Sequence, residues 1–379
     1  MKKKLFLMTL AAFMLAALPA TADDERSVTI VSDKQGHVLF SIADEVSEGD
    51  EYISRDNALY RIETVGGGQA VAAHIGEEAM PDVSWLDTGL TQAVFADKDG
   101  AVTTATKNEE GKRKLIAMYV THSDESYVPS DGTQSIEGQG GIYDVARDFR
   151  DALQAKGIDV ILDESTHLPH DSGAYRRSRR TAERLLQKMP DAIIDIHRDG
   201  IPDPSEYEAE IAGENASQVR LLVGRSNQNS EVNRAFAKQI KAIADKKYPG
   251  LIKDIFIGKG NYNQDLSPNA ILLEFGTHTL SKERVLNSTG VMADVISTTL
   301  YGPETGSARS AETAGAQDEA FTKEKNRGSV SGIVILLGIA VVGAIVFALA
   351  QTGSGKGAAQ KIKRNISEAT GGLFGKKKP

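Results

Sequence analysis

Between residues 113 and 301, apolar stretches of strand length alternate with amphipathic stretches of helix length, and that alternation constrains the fold more than any other feature. An apolar strand is expected at 114–120. A helical stripe follows over 140–157, with Ile142, Val145, Ala146, Phe149 and Leu153 on one face and Gly157 as the stop. A strand at 158–162, a basic helix at 174–189 and strands at 192–197 and 219–223 come next. A helix at 230–247, a strand at 269–275 and a helix at 281–300 complete the unit. Apolar strands separated by helices predict an α/β fold, a mostly parallel sheet with helices on both faces.

In such a sheet the chemistry collects where strands run into their following loops. Three strand ends carry suitable residues. The first reads Thr121-His122-Ser123-Asp124-Glu125, the second Asp195-Ile196-His197-Arg198-Asp199, and the third Leu272-Leu273-Glu274-Phe275-Gly276. His122 and Glu125 can turn an imidazole and a carboxylate toward one ion, and His197 supplies a third ligand from a neighbouring strand. Two His and one Glu leave a fourth position open, the arrangement of catalytic zinc. Glu274 is then the separate carboxylate that moves the proton. A histidine at a strand end is also often just a satisfied polar residue, and Glu274, flanked by Leu273 and Phe275, needs a metal or an Arg as partner if buried. Arg177 and Arg179, on the basic helix, are candidates to bind a substrate carboxylate. His167 and His170 lie in a proline-containing loop at the expected groove rim, and His278 is left outside the metal's ligands.

The flanks suggest an exported, anchored protein. Lys2, Lys3 and Lys4, an apolar stretch and Ala20-Thr21-Ala22 make residues 1–22 a signal peptide. Residues 27–75 alternate between short strands and Gly or Asx turns and are expected to form a small β module preceding the catalytic unit. Residues 76–112, with Trp85, read as a linker, and 302–331 as a flexible tether. Residues 332–350 hold no charge and are long enough for a transmembrane helix. The tail, 351–379, has seven Lys or Arg against Glu368, which marks it as cytoplasmic and the body as extracytoplasmic on a single-pass membrane protein. With no cysteine in the chain, disulfides and thiolate chemistry are excluded. A net charge of −8 argues against nucleic acid as a partner.

Over 113–301 the chain resembles the stage II sporulation protein P peptidoglycan hydrolases. The resemblance is carried by Thr121-His122-Ser123-Asp124-Glu125-Ser126-Tyr127, by Gly173-Ala174-Tyr175-Arg176-Arg177-Ser178-Arg179 and by Ile194-Asp195-Ile196-His197-Arg198-Asp199. It implies a zinc-dependent N-acetylmuramoyl-L-alanine amidase fold, an added endopeptidase activity on cross-linked stems, and a lytic transglycosylase partner during engulfment of the forespore. It also implies metal ligation by His122 and His197 and a catalytic role for Glu274, while the third ligand stays open between Glu125 and Asp144. A zinc carboxypeptidase has the same ligand order, and a wall-binding scaffold is the non-enzymatic alternative. The C-terminal helix, the β module and the basic tail lie outside the resemblance.

Overall fold

The computed structural model describes residues 28–88, 93–96, 102–105 and 113–302. The expected signal peptide, tether, transmembrane helix and basic tail lie outside these residues. Among the described residues no helix is long and apolar enough to cross a membrane.

The N-terminal strands are β1 (Thr29–Asp33), β2 (Val38–Ile42), β3 (Glu51–Ile53), β4 (Ala58–Gly66) and β5 (Gln69–Glu77). A single helical turn, α1 (Trp85–Thr88), and a hairpin of β6 (Ala93–Ala96) and β7 (Val102–Ala105) follow. Then come β8 (Leu115–Tyr119), the short α2 (Val128–Asp131), α3 (Ile142–Ala155), β9 (Asp159–Asp163), α4 (Ala174–Leu186) and β10 (Ala192–Asp199). A second hairpin, β11 (Glu208–Ile211) with β12 (Glu214–Ser217), precedes β13 (Val219–Gly224). The chain continues with α5 (Ser230–Lys247), β14 (Ile252–Gly258), β15 (Ala270–Thr277) and α6 (Lys282–Tyr301).

Eleven strands share one sheet in the order β2-β1-β5-β4-β3-β14-β13-β15-β10-β8-β9. The pairs β14–β13, β15–β10, β10–β8 and β8–β9 are parallel, as the alternation of strands and helices predicts. The join between β13 and β15 is antiparallel, so the sheet is mixed. The expected separation of a β module from the α/β unit does not describe the sheet, because β3 pairs antiparallel with β14 and carries the N-terminal strands into it. Strand β14 itself interrupts its apolar run with Lys253 and Asp254, both buried, which hides it from a reading of hydrophobicity.

Alternate residues of the central strands feed opposite faces. Ile116, Met118, Ile194, Ile196 and Leu273 pack with apolar residues of α3, α5 and α6 in the main core. Ala117, Tyr119, Ile193 and Ala270 face Ala182 and Leu185 of α4 on the other side. Further along that sheet, Phe40 and Ile42 of β2 and Val31 of β1 pack with Leu222, Phe256 and Leu272, and Phe40 stacks on Tyr52 at 4.1 Å. Trp85, in the stretch read as a linker, is 7% exposed and belongs to the main core.

Candidate metal centre

The loop after β8 is pinned before it reaches His122. Thr121 donates from its backbone N–H to Asp195 Oδ1 at 2.9 Å and from its hydroxyl to Asp195 Oδ2 at 2.6 Å, tying the end of β8 to neighbouring β10. A tight turn then forms, with Glu125 N–H donating to His122 carbonyl at 3.2 Å. Gly140 lies against the outside of this turn; a Cβ there would sit 2.3 Å from the Glu125 carbonyl oxygen and 2.7 Å from its nitrogen. The result is that His122 and Glu125, 1% and 3% exposed, point into the fold beside each other.

His122, Glu125 and His170 form a group in which one ligand atom from each lies within 4.8 Å of the others. The His170 ring stacks on His122 at 4.0 Å between centroids, and its Nδ1 lies 2.9 Å from Asp124 Oδ1. A ring nitrogen held by a carboxylate leaves the other nitrogen aimed at an ion, a common device for metal-binding histidines. Asp124 is fixed in turn by Ser135, whose hydroxyl donates to it at 2.7 Å. His197 meets His122 edge to face at 5.1 Å, with Nδ1 3.5 Å from Glu125 Oε1 and Nε2 3.1 Å from Asp195 Oδ1. His197, expected as a ligand, thus adjoins the group without belonging to it, and His170, which sequence reasoning placed only at the groove rim, stands in it instead. Its signal in sequence was weak, because it comes from a loop of no regular pattern.

The donor set fits zinc. Two imidazoles and a carboxylate match the ligands that zinc takes in catalytic sites, and bonds of about 2.0–2.2 Å draw such a group together with small side-chain rotations. The charges within the group compensate one another. Burial opposes a charged His197, but the Asp195 and Glu125 carboxylates outweigh it and hold the imidazole up at about 10. Burial would raise Glu125, yet His197 and the Arg198 charge bring it below the usual carboxylate range.

The remaining histidines and acids divide clearly. His167 is buried, with Nδ1 2.9 Å from the Val120 carbonyl and Nε2 2.9 Å from Thr181 Oγ1, which makes it a structural residue. Asp144 stands at the start of α3, half-exposed and engaged by Lys282 at 2.6 Å and Arg147 at 3.3 Å. Arg177 pairs with Asp171 at 2.6 Å, and Arg179 grips both oxygens of Asp265 at 2.8 Å.

Glu274 reaches the same cleft from β15, directly opposite His197 in the register of the two strands. Its carboxylate accepts from Tyr207 hydroxyl at 3.2 Å and lies 3.7 Å from Arg220. Arg220 is fully buried and chiefly committed elsewhere, with two bonds to Asp254 at 2.7 and 3.0 Å and one to Asp199 at 2.9 Å. Tyr207 lies 3.0 Å from Asp199 as well, and one hydroxyl proton can serve only one of the two carboxyls. Lys253 adds a second positive charge, shared by Glu206 at 3.0 Å and Asp254 at 3.7 Å. Two cations thus face Asp199, Asp254, Glu274 and Glu206. Burial pushes Glu274 well above the usual range, the Asp199 charge adds to this, and Arg220 opposes it only in part. Burial likewise raises Asp199 against the pull of Arg220. Both carboxyls of the Asp199–Glu274 pair are thus biased toward the protonated form.

Glu125, His170, His197, Asp199 and Glu274 line a cleft of about 900 Å³ with Ala43, Asp44, Tyr175, Arg198 and His278. Tyr175 presents its ring to His122 at 5.4 Å and lies parallel to His197 at 6.1 Å. Its place in the Gly173-to-Arg179 string thus supplies a wall of the cleft. Asp44 comes from the segment after β2 and accepts from Tyr262 hydroxyl at 2.8 Å.

The family model described as Stage II sporulation protein P matches residues 48–297. The Stage II sporulation protein P of Bacillus subtilis (strain 168) is 29% identical over 256 residues, which cover 62% of each chain. The present chain therefore spans less than two thirds of that curated relative. Among solved structures, the CwlD amidase from Clostridioides difficile in complex with the GerS lipoprotein aligns at a TM-score of 0.35 and 13% identity, covering 50% of this chain and 95% of that one. N-acetylmuramoyl-L-alanine amidase AmiC2 of Nostoc punctiforme aligns at 0.31 and 16%, covering 50% and 96%.

Proposed function

The chain belongs to the Stage II sporulation protein P family, and on that premise we propose that it is a zinc-dependent peptidoglycan hydrolase of sporulation. It cuts the amide between N-acetylmuramic acid and L-alanine, and in addition stem-peptide cross-links. The observation that carries this reading is the juxtaposition of the His122–Glu125–His170 group with Glu274, whose carboxyl shares one cleft with Glu125 and His170. His122 and Glu125 would hold zinc, with the third ligand from His170 or His197, whose rings flank His122 on two sides. When bound, zinc activates water and polarises a carbonyl.

The chain's own residues supply the rest. Asp124 orients His170, and Asp195 orients the end of β8 together with His197. Tyr207 and Arg220 fix the Glu274 carboxyl, which exchanges a proton with the reacting groups and passes it to the leaving amine. Tyr175 closes one side of the cleft against bulk water. Export by residues 1–22, anchoring by 332–350 and a cytoplasmic 351–379 place this domain outside the cell membrane. A lytic transglycosylase that opens the glycan strand is the natural partner for an enzyme that strips its peptides.

The test is digestion of purified sacculi by the full chain, with fragments identified by mass. Release of intact stem peptides from muramic acid is expected; removal of single terminal residues alone would make the protein a carboxypeptidase. Metal content should be near one zinc per chain and should fall in His122→Ala and Glu125→Gln. Comparing His170→Ala with His197→Ala identifies the third ligand, and full retention in both would sink the assignment. Glu274→Gln should keep its zinc and lose turnover by about 10²–10⁴-fold.

A further inference from the structure

Arg198 differs from the other arginines around the cleft in how its charge is used. Arg177, Arg179 and Arg220 each meet a carboxylate within 3.0 Å. The Arg198 side chain instead donates only to backbone carbonyls: Nε to Ser126 at 3.0 Å, Nη1 to Asp199 at 3.3 Å and Nη2 to Gln134 at 2.7 Å. Among the described residues it makes no ion pair. A guanidinium has five N–H donors, so three bonds to carbonyls fix its plane and leave two N–H groups unspent. The side chain is only partly covered and lines the cleft with Gln134 and His278. Carbonyl dipoles hold the group in place without cancelling its charge.

The effect of that charge is visible on its neighbour. Burial lowers His278, and the Arg198 charge lowers it further, to about 4, so the imidazole is neutral at physiological pH. It therefore adds no second cation and remains able to donate or accept one hydrogen bond. The other groups facing the cleft are largely acidic, with Asp44, Asp124, Asp171 and Glu274 among them. A carboxylate entering this space finds at Arg198 a guanidinium that no carboxylate among the described residues pairs.

We infer that Arg198, with His278 beside it, is the subsite that binds a free carboxylate of the substrate's stem peptide and thereby orients the scissile amide toward the metal-binding group. The inference rests on the peptidoglycan reading above and names the part of the substrate that this end of the cleft recognises. A peptide carboxylate matches the guanidinium's fork, and the fixed plane minimises the ordering cost of each bond. Arg198 follows His197 directly, and its own backbone N–H donates to Glu125 Oε2 at 3.0 Å, so the subsite and the metal-binding group are built on the same turn.

The experiment uses the full chain and two synthetic stem peptides that lack muramic acid, one with free carboxylates and one with those groups converted to carboxamides. Binding is measured by calorimetry, so the result does not depend on catalysis. The free-acid peptide should bind about 10- to 100-fold more tightly, the range for charge-assisted hydrogen bonds. Arg198→Gln should equalise the two peptides, and Arg198→Lys, which keeps the charge but loses the fork, should retain part of the preference. Equal binding of both peptides by the unaltered protein overturns the inference. So does an undiminished preference in folded Arg198→Gln. Should Arg198→Gln fail to fold, the unaltered protein's acid-to-amide ratio and that of Arg198→Lys still decide. A clear preference without hydrolysis of sacculi would refute the hydrolase and leave the carboxylate subsite standing.

Discussion

At the scale of single residues, the centre is governed by how few charges are allowed to stay unpaired. His197 shows this, its imidazole lying between the Glu125 and Asp195 carboxylates, which favour its protonated form. Its folded value near 10 exceeds the unfolded 6.5, so this contribution is complete below about pH 6.5 and is lost as pH rises toward 10. Chelated protein should therefore remain folded at neutral pH, and its melting temperature should fall between pH 7 and 10. His197→Gln should flatten that slope, and an unchanged slope would show that some other group carries it. Arg220 is the opposite case, a fixed cation that bonds both Asp199 and Asp254, with Lys253 at 3.7 Å from Asp254 the other positive charge nearby. Arg220→Met is expected to cost about 3–5 kcal/mol in denaturant titration at neutral pH, since it leaves buried carboxylates uncompensated. The deficit should shrink in acid, where carboxyls that take up a proton need no counter-charge.

At the scale of elements, the strand ends legible in the sequence are those whose polar residues interrupt a continuous apolar run. His122, His197 and Glu274 all lie at or beyond fully buried stretches of β8, β10 and β15; His197 and Glu274 line one cleft, and His122 meets His197 edge to face. Helix α5 falls on the expected residues for a similar reason, its apolar positions repeating over eighteen residues. What the pattern concealed is local or long-range in origin. His170 owes its position to a loop and a contact with Asp124, β14 hides behind Lys253 and Asp254, and Arg220 looked like an ordinary residue of an apolar strand. Gly140 is the same kind of feature, since its need for a bare Cα comes from a turn fifteen residues earlier. Gly140→Ala should displace the Glu125 backbone, at about 1–3 kcal/mol of stability. Zinc affinity should fall about 10- to 100-fold, the scale for losing a ligand's support. Competition with a chromophoric chelator reads this directly, and unaltered affinity would mean that the turn yields elsewhere.

At the scale of the whole molecule, the N-terminal strands share a sheet, a core and a cleft wall with the α/β unit. Strand β3 covers the edge of β14, and Phe40 and Ile42 cover Leu222, Phe256 and Leu272. The polar contacts follow the same path. Ala43 N–H donates to Asp199 Oδ1 at 3.2 Å, Arg220 donates to the Ser41 carbonyl at 3.2 Å, and Arg234 bridges Glu51 at 2.6 Å and Glu78 at 2.7 Å. Ala43 and Asp44 then form part of the cleft wall, so the first strands touch the residues around Glu274 as well as the sheet edge. A fragment of residues 113–301 would expose an unpaired β14 edge beside an apolar face, the combination that drives edge-to-edge association. It would also leave Asp199 and Arg220 without the backbone groups of Ser41 and Ala43. Residues 28–302 should give a soluble protein with a single cooperative melt, whereas 113–301 should aggregate or melt without a cooperative transition. Full activity on sacculi from a monomeric 113–301 fragment would restore the picture of a separable β module. Loss of both folding and zinc binding would show that the sheet's five N-terminal strands belong to the catalytic unit.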